Sequence, residues 1–171
     1  MEWRHSGSPR PKIFRVQKSA GKVLTSIFWD QDGILLIDYL PKGQTTNTEY
    51  YSSLLVQLKD ILKEKKPWKV TKSVLFFHDI APTHRALATQ KKLAYLGFEW
   101  LDHPPYSPDL APLDYHLFPI LKKQLKGRHF SSNAEVIAAA ETWLNGRLSG
   151  FFLSGLQRLE QGAKKCIELH G

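Results

Sequence analysis

Four consecutive apolar residues, Val74–Phe77, run directly into His78 and Asp79, and Pro82 follows close behind. Four residues are too few for an ordinary helix, and a β-branched residue with two aromatics favours a strand buried on both faces. Proline is accepted in the first turn of a helix, where its missing N–H is not needed. The stretch VLFFHDIAPTHR therefore predicts a strand, a turn and a helix, with an acid at the joint. That acid is a turn residue, a cap for the helix behind it, or half of a metal site.

The rest of the chain supplies further elements of the same kind. VLTSIFW (23–29) and ILLIDYL (34–40) predict a β-hairpin, with Asp32-Gly33 as its turn signal. Thr46 and Glu49 have capping-box spacing, and Tyr51, Leu54, Leu55, Leu58 and Leu62 form a helical stripe to about Lys65. The Pro82 helix runs to Gly97, and FEWL (98–101) is a short strand before the Pro-rich HPPYSPDLAP. Asp114, Leu117, Phe118, Leu121 and Leu125 share one face of a helix that closes near Gly127. Ser132 and Glu135 cap another helix to about Leu144, and a last one covers roughly 150–165. A hairpin followed by strands alternating with helices predicts an α/β fold, a mixed sheet with helices packed against it.

Composition narrows the function. The 171 residues suit one domain, no apolar run is long enough to span a membrane, and MEWRHSGSPRP has no signal-peptide core. Cys166 is the sole cysteine, which excludes an internal disulfide or a thiolate zinc cluster and implies a reducing, intracellular setting. The formal charge is +8. No acid occurs between Glu2 and Asp30, whereas Arg4, Arg10, Lys12, Arg15 and Lys18 fall among Pro, Ser and Gly. Residues 1–22 thus predict a basic arm that contacts phosphates, or a solvated tail with no partner. Lys63, Lys65 and Lys66 at a helix end are explained by the helix dipole.

Asp79 and Asp114 are the candidate catalytic and metal-binding residues. In open α/β sheets, ligands bind at the carboxyl ends of the strands. Asp79 closes one strand, and Asp114 opens a helix after the next. Two such acids can share Mg²⁺ ions that stabilise the attacking and leaving oxygens in phosphodiester chemistry. Both residues also suit helix N-termini with no metal at all. Asp114 lies on the apolar stripe and is expected to point inward, where a carboxylate needs a cation or hydrogen-bond donors. His78, His84, His103 and His116 lack tight zinc spacing and read more simply as satisfied structural histidines.

HDIAPTHR resembles the HDNAPxH element of Tc1/mariner transposases, and HPPYSPDLAPLDYHLF resembles the third-acid motif of the mariner branch. The 34 residues between Asp79 and Asp114 match the mariner DD34D spacing. EWRHSGSPRPKIFR, LKGRHF and the closing KKC are similar too, so the resemblance covers essentially the whole chain. It implies an RNase H-like fold, with Asp79 and Asp114 as the second and third acids of a DDD triad holding Mg²⁺ or Mn²⁺. It further implies DNA as partner, a homodimer or transposase subunit as protein partner, and the nucleus as location. Residues 3–15 resemble the clamp loop that contacts DNA and the partner subunit.

The sequence also departs from that pattern. The family's first acid lies on a central first strand ahead of EWRHSG, and Asp30, Asp32 and Asp38 on the hairpin are not substitutes for it. Without that strand the hairpin and VLFF must pair directly, leave a gap or borrow a strand. Ile80 stands where the family has asparagine, and losses beside a metal ligand commonly cost 10–100-fold in affinity or activity. Residues 23–171 are thus expected to be a partial catalytic domain, short of strand cleavage and strand transfer. The alternative is a non-enzymatic module that binds DNA or a transposase subunit. Mariner domains also occur fused to a histone-lysine methyltransferase, and nothing in these residues resembles that enzyme.

Overall fold

The computed structural model describes residues 23–71, 73–79, 81–101 and 107–170. The basic arm, residue 80 and the first half of the Pro-rich stretch lie outside these, so the expectations for Arg4, Arg10, Lys12, Arg15, Lys18, Ile80 and His103 fall outside the described residues. No described helix is long and apolar enough to cross a membrane.

The hairpin consists of β1 (Leu24–Asp30) and β2 (Gly33–Leu40), antiparallel about the turn Gln31-Asp32. Asp30 Oδ1 accepts the Asp32 and Gly33 amides, and Gly33 takes φ +149°, which an L side chain rarely adopts. The register shifts between Phe28 and Trp29, leaving Leu35 as an extra residue on β2. This bulge explains how the run ILLI serves two cores. Leu35 and Leu36 join Phe28 on one face, while Ile34 and Ile37 join Ile27 and Trp29 on the other.

The first face packs on α1 (Thr48–Lys65), whose stripe Tyr51, Leu55, Leu58 and Leu62 is buried as the periodicity predicts. The cap differs from expectation: Asn47, not Thr46, accepts the Tyr50 amide at 2.7 Å. Asn47 is the residue with extended backbone at the helix start, which is what a side-chain cap requires. Pro67 disfavours helical backbone at Lys66, so α1 ends there and the short α2 (Pro67–Val70) begins.

β3 (Val74–Phe77) and β4 (Phe98–Leu101) pair in parallel and form a second two-stranded sheet. Two helices connect them, α3 (Pro82–Arg85) and α4 (Leu87–Tyr95), instead of the single helix expected. The break falls at Ala86, which is extended, and the Thr89 hydroxyl donates to the Thr83 carbonyl that a continuous helix would have used. Phe76 and Phe98 bury against Leu93 and the α1 stripe. VLFF is not buried on both faces as expected, because Leu75 is 65% exposed where no described element covers it.

Of the three arrangements left open for the hairpin and VLFF, the described residues form the gapped one. Phe28 of β1 and Phe76 of β3 stack with centroids 6.1 Å apart in one core, yet no ladder joins their strands.

The second core lies on the opposite face of the hairpin. Leu117 and Leu144 pack there with Phe152, on α5 (Phe118–Leu125) and its preceding turn, α6 (Asn133–Asn145) and α7 (Ser149–His170). Ser132 caps α6 as expected, but the Glu135 carboxylate turns to the amide and hydroxyl of Ser131.

Candidate functional site

The site is built at the carboxyl end of β3, where the ladder stops and Asp79 follows. Asp79 Oδ1 accepts the Ala81 amide at 3.1 Å, an Asx turn that reverses the chain into α3. Of the three roles open to this acid, the turn is therefore present, while the cap position of α3 belongs to Ala81. His84, one turn into that helix, donates from Nδ1 to the same Oδ1 at 2.5 Å. This hydrogen bond holds the Asp79 carboxyl below the usual carboxylate range, against the opposing effect of burial and with help from the Ala81 amide.

Aromatic packing fixes His84. Its ring lies 5.1 Å from that of His78 at an interplanar angle of 9°, and 4.1 Å from that of Tyr51. Tyr51 reaches His78 Nδ1 through its hydroxyl at 3.2 Å. Burial first, and then the negative charge of Asp79, push the Tyr51 phenol above its ordinary value. The strand end, α1 and α3 thus meet through one aromatic stack with the carboxylate at its rim. Asp79 remains 64% exposed, and both hydrogen bonds described for its carboxylate fall on Oδ1.

Asp114 is placed differently from expectation. Leu113–Leu117 form a turn of π-helix, in which the Phe118 amide reaches the Leu113 carbonyl. Pro119 cannot donate to the carbonyl four residues back, and that missing bond accompanies the wider turn. The extra width takes Asp114 off the stripe: Leu117 and Leu121 are buried, whereas Asp114 is exposed. The expectation of an inward-pointing acid is corrected accordingly. Asp114 makes no side-chain hydrogen bond or ion pair among the described residues.

Asp30 and Asp32 of the hairpin turn are committed elsewhere. Lys66 Nζ lies 2.7 Å from Asp30 and 2.8 Å from Asp32, and Lys69 Nζ lies 2.8 Å and 3.1 Å from the same pair. Lys66 is thus an ion-pair residue as well as a helix-end cation. His116 is a satisfied core histidine, 6% exposed, with Nε2 donating to the Phe151 carbonyl at 2.7 Å.

Carboxylate oxygen is the donor type that a hard cation takes, since Mg²⁺ keeps several waters and binds through one or two carboxylates, and Asp79 and Asp114 are both exposed. No group of three or more His, Cys, Asp or Glu close enough to hold a metal occurs among the described residues. His84 as the partner of Asp79 had two sequence signals, the five-residue spacing across the Pro82 turn and its place as the second histidine of HDIAPTHR. Residue spacing did not distinguish that role from a purely structural one.

Comparison with known proteins extends this geometry. The family described as Transposase (partial DDE domain) matches residues 1–72. The chain is 34% identical to the mariner Mos1 transposase of Drosophila mauritiana over 167 residues, 96% of this chain and 48% of that protein. It is 32% identical to the histone-lysine N-methyltransferase SETMAR of Homo sapiens over 151 residues, 88% of this chain and 22% of that protein. The chain therefore spans about half of the first relative and about a fifth of the second. Among solved structures, the Mos1 transposase catalytic domain with Raltegravir and Mg superposes with TM-score 0.79 at 34% identity, over 85% of this chain and 74% of that one. A pre-cleavage Mos1 transpososome superposes with TM-score 0.81 at 31% identity, over 98% of this chain and 50% of that one.

Proposed function

The chain belongs to the mariner-type transposase family as a fragment of the RNase H-like catalytic domain, and from that premise we propose that Asp79 and Asp114 hold Mg²⁺ or Mn²⁺ at a DNA phosphodiester. The observation that carries this reading is the position of Asp79 at the carboxyl end of β3, in a chain 34% identical to catalytic domains solved with Mg and with Mn. When bound, such a cation neutralises charge on the phosphodiester oxygens. The chain's own part is to present the ligands. His84 and the Ala81 amide occupy Oδ1 of Asp79 and leave Oδ2 as the proposed ligand atom, and the π-turn carries Asp114 to the surface.

Two acids fall short of the family's set of three, so we propose binding of cation and DNA without strand cleavage by these residues on their own. The Mos1 paired-end complex solved with the left transposon end supports DNA as the partner, and a second transposase subunit is proposed beside it. The nucleus, where DNA is met, is the proposed location.

The test is Mn²⁺ binding followed by electron paramagnetic resonance, beside nicking of supercoiled plasmid. We expect weak binding that falls at least tenfold in Asp79→Asn and in Asp114→Asn, with no nicking. Unchanged Mn²⁺ affinity in both variants would refute the metal assignment, and nicking lost on Asp79→Asn would refute the incompleteness.

A further inference from the structure

The helix that starts beside Asp114 ends in a cluster of cations. Lys122, Lys123, Lys126 and Arg128 fall within seven residues, and no acid occurs from Tyr115 to Ala134. All four are exposed, and none is ion-paired among the described residues. The first acid beyond them, Glu135, has its carboxylate occupied by Ser131. Three lysines elsewhere are ion-paired, Lys66 and Lys69 on Asp30 and Asp32 and Lys164 on Glu160, but the cluster differs from the other exposed lysines in joining four cations with no acid within its own stretch of chain.

The helix dipole accounts for part of the cluster. Lys122 and Lys123 lie in the last turn of α5, where a cation faces the free carbonyls. The dipole does not account for Arg128, because its influence fades within that turn and Arg128 comes after Gly127 at φ +83°. The glycine turns the chain, and the Arg128 guanidinium is held over the Phe130 ring at 5.2 Å. A stacked guanidinium has already given up much of the freedom that binding would otherwise remove. Lys122 and Lys126, four apart, repel one another unless an anion lies between them.

We infer that Lys122, Lys123, Lys126 and Arg128 form a phosphate-binding surface for duplex DNA, separate from the Asp79–Asp114 site and continuous with it along α5. The inference rests on the DNA-binding function proposed for the fragment and assigns a place to it. Asp114 and Lys126 are twelve residues apart, which at about 1.5 Å per residue is about 18 Å. That corresponds to about five base pairs of duplex at about 3.4 Å each. A duplex with its phosphodiester at the acids would have backbone within reach of the cations. Such contacts are sequence-independent and set register, not specificity.

The experiment measures binding of the full 171-residue chain to a fluorescent random-sequence duplex in EDTA, across a salt series. One variant carries Lys122→Gln, Lys123→Gln, Lys126→Gln and Arg128→Gln. A charge-matched control carries Lys42→Gln, Lys63→Gln, Lys65→Gln and Lys91→Gln, and circular dichroism confirms that both fold. We expect the first variant to bind at least tenfold more weakly at about 0.1 M salt. Its log–log salt slope should become shallower by about 3.6, since each of four phosphates left unneutralised removes about 0.9 from the slope. The control should stay within about twofold of the parent. Equal weakening in both variants would mean net charge alone and would overturn the surface. Parent-like affinity in the first variant would overturn it while leaving DNA binding intact. No binding by the parent would instead overturn the DNA-binding function on which the surface rests. Displacement of the duplex by polyglutamate at equal charge would reassign the surface to an acidic polypeptide.

Discussion

His84 donates from Nδ1 to Asp79 Oδ1 at 2.5 Å, on the same oxygen that accepts the Ala81 amide. One side of the carboxylate is thereby fixed by the protein, and the other carries the proposed metal contact. Groups that orient a metal ligand from behind typically contribute 10–100-fold to affinity. His84→Ala should therefore weaken Mn²⁺ binding about tenfold in a paramagnetic-resonance titration. Equal or tighter binding would show that the imidazole competes with the cation instead of supporting its ligand.

The same bond sets a pH dependence. Asp79 and Asp30 both titrate below their ordinary value near 3.8, Asp79 through His84, and Asp30 because Lys66 and Lys69 outweigh its burial. A depressed folded value means that the stability from each group is fully present above about pH 4 and is lost as pH falls through that value. At Asp79, which is mostly exposed, the contribution is under about 1 kcal/mol. Urea unfolding at pH 7 and pH 3 should show the deficits of Asp79→Asn and Asp30→Asn shrinking on acidification. A deficit that is the same at both pH values would exclude the carboxylate charge as its source.

The Asp30 cluster also ties the hairpin turn to the junction of α1 and α2, with Lys66 only 14% exposed. Asp30→Ala leaves Lys66 and Lys69 with only the half-exposed Asp32 as a shared partner and removes the acceptor that holds the turn. We expect a loss of about 1–3 kcal/mol, larger than that of Asp32→Ala, whose side chain is half exposed. The reverse order in chemical denaturation would show that the Asp32 ion pairs outweigh both the turn and the pairing of Asp30.

Two glycines on α7 should respond in opposite directions to the same change. A Cβ on Gly155 would lie 2.7 Å from His116 Cδ2 and 3.2 Å from Trp29 Cη2. The histidine ring cannot yield, being hydrogen-bonded to the Phe151 carbonyl and packed 4.4 Å from the Phe151 ring. Gly155→Ala should cost about 1–3 kcal/mol despite the helical preference for alanine. Gly150→Ala meets nothing within 4 Å and should stabilise by up to about 1 kcal/mol. Denaturation midpoints moving in the same direction would contradict the packing account of Gly155.

The strands, the α1 stripe, the hairpin turn and the α6 cap were legible in the sequence because each depends on neighbours a few residues away. Spacing also marked Asp79 and Asp114 as a pair and set the family resemblance that the relatives support. What lay beyond local pattern came from the tertiary structure. The bulge at Leu35 divides ILLI between two cores, Pro119 accompanies a wider turn that takes Asp114 to the surface, and Leu75 stays exposed because no described element covers it. The pairing of Lys66 with Asp30 and the contact of His116 with Phe151 span 36 and 35 residues. Periodicity carries no information about such partners. The sequence by itself determined which segments become strands and helices and which acids follow them. Only the packed chain decided which way each acid faces, because that depends on the elements that pack around it.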